Sequence, residues 1–120
     1  DQGMMMRLSW AVTFLIVIGL SGCKNLTDLR AKTPDLTLES SKPAEEVAEC
    51  LLFKWQSQKL LDGSPINTYM QPYPGGKTVY TENYTAAADI SKNDSGSVVR
   101  LYLPSWYIRD TFKAITNSCI

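Results

Sequence analysis

Histidine is absent from this chain, which removes both the commonest general base and the commonest metal ligand. Cysteine is scarce. The three present, Cys23, Cys50 and Cys119, are spread too widely for a Cys-x-x-Cys motif, and without histidine they fall short of four tetrahedral zinc ligands. Neither charge is in excess, since 12 Lys and Arg balance 12 Asp and Glu. That excludes the basic footprint of a nucleic-acid binder and the acidic block of a cation sponge. There is no Gly-x-Ser-x-Gly elbow and no phosphate-cradling glycine loop. Asp89, Asp94 and Asp110 offer carboxylates for acid–base work, but they are scattered in turns and at element edges, where solvated charge explains them. The reading is therefore a protein that is not an enzyme and uses no cofactor and no metal.

The longest uncharged apolar run, Leu8 to Leu20, is shorter than the roughly 20 residues a spanning helix needs. Arg7 precedes it and small residues follow it, which is the pattern of a secretory signal. Asp1-Gln2-Gly3 ahead of Met4 stand outside that pattern. The run closes on Leu20-Ser21-Gly22-Cys23. This tetrapeptide resembles the lipobox of bacterial lipoproteins, and the resemblance covers residues 4–23 only. It implies that residues 1–22 are a signal peptide and are removed. It also implies that Cys23 becomes a lipid-modified N-terminus carrying a diacylglycerol and usually an N-acyl chain. Each buried methylene contributes about 0.8 kcal/mol, so two or three chains hold a protein on a membrane where one does so only marginally. In enteric lipoproteins an aspartate after the lipid cysteine favours the inner membrane. Lys24 at that position implies the outer membrane, on its periplasmic face.

Residues 23–42 are polar, with isolated leucines and a proline, and read as a flexible tether. Residues 43–120 read as one globular α+β domain. A helix is expected from Pro43. Proline suits its start, Glu45 and Glu46 suit its first turn, and Ala44, Val47, Ala48, Leu51, Leu52 and Trp55 form an apolar face. Asp62-Gly63-Ser64-Pro65 is expected to stop it. Strands are expected over 66–73, 77–84 and 97–103, with 85–92 a further one, and turns at Pro74-Gly75-Gly76 and Asn93-Asp94-Ser95-Gly96. In the last strand Val99, Leu101 and Leu103 face one way. A closing helix then follows Pro104 and Ser105, with Ile108, Phe112, Ile115 and Cys119 in one stripe. The order is helix, three or four antiparallel strands, helix. Cys50 and Cys119 are an even pair in an oxidising compartment, which points to a disulfide linking the terminal helices. Two buried free thiols are the alternative.

Tyr69, Tyr73, Tyr80, Tyr84, Tyr102, Trp106 and Tyr107 concentrate in the sheet and at its exit. Cross-strand pairing accounts for such a set, and so does an exposed patch for a partner. Consecutive helical residues point about 100° apart, so Trp106 and Tyr107 cannot both face the core, and one of them is the best candidate for a partner contact. The expected function is a small lipid-anchored cell-envelope protein, an accessory that binds another envelope protein. The alternatives are a surface lipoprotein of a plasmid or prophage, of the kinds that exclude a second plasmid or confer serum resistance, and a small-ligand or peptidoglycan-binding module.

Overall fold

The computed structural model describes residues 25–120. The signal segment and Cys23 lie outside the described residues. Eight elements follow in order: α1 (Leu26–Arg30), β1 (Leu36–Ser40), α2 (Ala44–Gln56), β2 (Thr68–Tyr73), β3 (Gly76–Thr81), β4 (Ala87–Asn93), β5 (Gly96–Tyr102) and α3 (Arg109–Asn117). The fold is α+β, as the sequence implies. The sheet, however, has five strands rather than three or four, in the order β1-β5-β4-β3-β2 with every neighbour antiparallel.

Local sequence explains α2. Pro43 stands at its N-cap, Glu45 and Glu46 occupy the positive end of its dipole, and Lys54 sits at the negative end. Val47, Ala48, Leu51 and Trp55 recur on one face and are fully buried. The helix ends at Gln56, earlier than Asp62-Gly63, and an irregular stretch with a Lys59–Pro65 bridge leads to the sheet. The β2–β3 hairpin turns through Pro74 and Gly75, where a φ of +73° suits glycine. The β4–β5 hairpin turns through Asp94 and Ser95, with the Asn93 side chain accepting from the Ser95 amide at 3.1 Å.

β3 stops at Thr81 rather than running on to Tyr84. Asn83 and Tyr84 adopt left-handed φ values of 61° and 55° inside a short turn, which no strand continues through. The Thr81 hydroxyl fixes the far side of that turn by accepting from the Ala86 amide at 2.9 Å.

One face of the sheet carries the main core. Val79, Ile90, Val99, Leu101 and Leu103 pack under α2 and α3, where Trp55 and Phe112 lie with ring centroids 5.0 Å apart. Burial of each such side chain contributes about 1.5–3 kcal/mol. Cys50 on α2 is bonded to Cys119, with Cα atoms 5.8 Å apart. Cys119 lies just beyond α3 rather than within it.

Gly76 pairs with Ser91 across β3–β4, and a Cβ there would run into the backbone carbonyl of Ile90. Gly76→Ala is expected to cost about 2 kcal/mol by overpacking against a strand that cannot shift alone. Urea unfolding measures this, and an unchanged midpoint would contradict so close an approach.

The tether reading of residues 23–42 needs correction. Residues 26–30 and 36–40 of that segment are α1 and β1, and the domain begins by Asn25 rather than at residue 43. β1 pairs with β5, Leu36 opposite Leu101 and Leu38 opposite Val99, which sets both leucines on the core face. α1 lies on the other face, where Leu29 packs against Ala87 and Tyr102. Elements of five residues draw their stability from such pairing, not from their own propensity.

Candidate interaction surface

A reciprocal cap opens α1. The Asn25 side chain accepts from the Asp28 amide at 3.1 Å, and the Asp28 carboxylate accepts from the Asn25 amide at 3.2 Å. At the other end of α1, the Arg30 guanidinium clamps the helix to the sheet. Its Nε donates to one Asp89 oxygen and a terminal nitrogen to the other, both at 2.9 Å, and that nitrogen also donates to the Thr78 hydroxyl at 2.9 Å. Thr78 in turn donates to Asp89 at 2.6 Å, and the Tyr73 ring lies 5.0 Å from the guanidinium carbon. The hydrogen-bonded Asp89 holds the Arg30 pKa above its ordinary value, with partial burial opposing. Burial raises the Tyr102 phenol pKa, and the negative charge of Asp89 adds to the effect.

Of the three carboxylates singled out in the sequence, Asp89 is therefore committed to Arg30. Asp94 is exposed in its turn and Asp110 is exposed at the start of α3, so the fold does not bring the three together. Among the described residues no group of three or more Cys, Asp or Glu side chains gathers as a metal site would require. Among the same residues no helix is long and apolar enough to cross a membrane.

The tyrosines form a row on the sheet face opposite the core. Tyr69 and Tyr80 are register partners with centroids 5.5 Å apart, and Tyr80 and Tyr84 stack at 5.7 Å. Their rings largely face one another, the cross-strand arrangement that stabilises a sheet.

Trp106 and Tyr107 differ from that row. Pro104 and Ser105 carry the chain off β5 into a single tight turn, Trp106–Ile108. Only Ile108 turns inward. Trp106 is 81% exposed and Tyr107 42% exposed, and their rings meet edge to face with centroids 6.1 Å apart. The turn is braced from behind by Arg109, which donates to the Leu103 carbonyl at 3.1 Å and lies 3.9 Å from Asp35.

Two clefts are lined both by residues of α1 and by residues that flank this turn. One, of about 250 Å³, is lined by Asn25, Asp28, Leu29, Tyr84, Pro104 and Ser105 among others. The second, of about 220 Å³, is lined by Leu29, Lys32, Asp35, Tyr102, Pro104 and Arg109 among others. Asn25 and the residues leading into the Trp106 turn, Pro104 and Ser105, thus line the same cleft.

Sequence reasoning allowed Leu26 and Leu29 a short helical turn but kept it within a tether, and it missed β1 and the Arg30 clamp. Two signals could have found the elements: the Asn25-x-x-Asp28 capping spacing, and the apolar–polar alternation of Leu36-Thr37-Leu38-Glu39. Nothing local could have paired Arg30 with Asp89. No protein-family model matches the chain, and no curated protein or solved structure matches it either.

Proposed function

We propose that this chain is a small cell-envelope protein, held on a membrane by lipid on Cys23 and acting by binding another envelope protein rather than by catalysis. The observation that carries the reading is Leu20-Ser21-Gly22-Cys23 directly after a charge-free apolar run. The Cys50–Cys119 bond accords with an oxidising compartment. Lys24 after the lipid cysteine favours the outer membrane, facing the periplasm. Asn25 already belongs to the fold as the cap of α1, only two residues after Cys23, which favours a domain seated against the bilayer over one held away on a long spacer. Balanced charge and the absence of histidine leave surface recognition as the activity.

The test is lipid labelling in cells. Cys23→Ala is expected to abolish incorporation of a clickable fatty acid and to remove the lipidated species from the membrane fraction. Undiminished labelling of that variant would refute the reading.

A further inference from the structure

We propose that the Trp106–Tyr107 turn is a second membrane contact, with its rings in the interfacial layer of the bilayer that holds the Cys23 lipid. The inference rests on the lipid-anchor reading above and adds an orientation to it.

Covalent reach is the first argument. Cys23 precedes Asn25 by two residues, and extended chain spans at most about 3.6 Å per residue, so the lipid attachment lies within about 7 Å of Asn25. Asn25 is not free to swing. It caps α1, and Arg30 fixes α1 to the sheet through Asp89 and Thr78. A lipid on Cys23 therefore draws one particular end of the domain to the bilayer.

The second argument is what that end presents. Asn25 shares a cleft with Pro104 and Ser105, and the next residue in the chain is Trp106. Phe53, Leu61, Tyr69 and Met70 are also exposed, but none of them lines either cleft or directly adjoins a residue that does. The exposed indole thus follows directly on residues that line the same cleft as Asn25.

The third argument is chemistry. Tryptophan and tyrosine combine an apolar ring with a polar N–H or O–H, and they concentrate where hydrocarbon meets water. An indole 81% exposed leaves most of its apolar area in water, and the bilayer interface takes that area up. The charges nearby largely offset one another. Arg109 lies 3.9 Å from Asp35, Lys32 and Asp110 are of opposite sign, and Asp28 at the cap leaves one negative charge over. Insertion of the rings therefore does not depend on anionic lipid, and zwitterionic vesicles suffice.

The experiment uses the full chain, expressed and isolated with whatever lipid it carries. It is reconstituted into phosphatidylcholine vesicles whose acyl chains carry bromine near the headgroup end. The Trp106 signal is the difference between the chain and its Trp106→Phe variant, which cancels Trp10 and the buried Trp55. The expected result is a blue-shifted Trp106 component that loses most of its intensity in brominated lipid, with Trp55 emission the same in both proteins. Mass spectrometry of Cys23 separates the two readings. Lipid on Cys23 with an unquenched, water-like Trp106 overturns the inference, leaves the anchor standing and returns the rings to a protein partner. Quenching without lipid on Cys23 supports the ring contact and overturns the anchor. Neither lipid nor quenching overturns both.

Discussion

Removal of the Cys50–Cys119 bond is expected to lower the stability of the domain by about 4 kcal/mol, which is the chain-entropy value for a loop of this length. The bond spans a sequence separation of 69 residues and ties α2 to the end of the chain. For a domain of this size the same loss corresponds to a melting temperature lower by about 20 °C. Cys50→Ala, Cys119→Ala and reduction of the unaltered protein should give nearly the same drop, because each deletes the same crosslink. Cys119→Ser should fall further than Cys119→Ala. Cys119 is fully buried, and a hydroxyl placed there must find a partner or bear its desolvation cost. Urea unfolding with and without reductant decides the matter. A drop below about 1 kcal/mol would mean that packing of α2 against α3, and not the crosslink, holds that side of the molecule.

A second large effect is expected at the Arg30 clamp, and it is asymmetric. The Asp89 side chain is 3% exposed and that of Arg30 is 31% exposed. Arg30→Ala leaves a buried carboxylate with Thr78 as its remaining side-chain donor, a loss expected to cost about 3 kcal/mol. Asp89→Ala leaves a guanidinium that can turn toward water, and the cost should be nearer 1 kcal/mol. Both variants should release α1, seen as faster amide exchange over residues 26–31 while β3, β4 and β5 stay protected. Equal costs for the two variants would show that the pair itself, and not the burial of one partner, sets the energy.

These two predictions come from opposite ends of what the sequence discloses. The disulfide was legible because, with Cys23 read as the lipid attachment, Cys50 and Cys119 were left as an even pair. α2 was legible because its apolar spacing, acidic first turn and leading proline all agree. The faces of β5 were legible from alternation, and Val99, Leu101 and Leu103 are all buried as that alternation implies. The expectation that one of Trp106 and Tyr107 stands exposed followed from two adjacent residues sharing one turn, and in the structure both are exposed, Trp106 the more so. What the sequence hid is non-local. Leu36 and Leu38 look like isolated leucines in a polar stretch until β5 lies beside them. Arg30 looks like a solvated charge until the sheet brings Asp89 and Thr78 under it. The end of β3 was misplaced because two residues other than glycine take left-handed conformations there, which composition rarely signals.

The pairing of β1 with β5 also bears on the order in which the domain assembles. Among the described residues, as the chain emerges from its N-terminus, β1 is the first strand to appear and its sheet neighbour β5 is the last. The β2–β3 and β4–β5 hairpins close over short loops and can form as they emerge, whereas β1 must wait while most of the chain arrives. Until β5 takes its place, the first strand is an unpaired edge with two leucines showing. The strand that comes first in the chain is therefore the last part of the sheet to become solid, and the interval before it does is when the nascent protein is most open to wrong pairing.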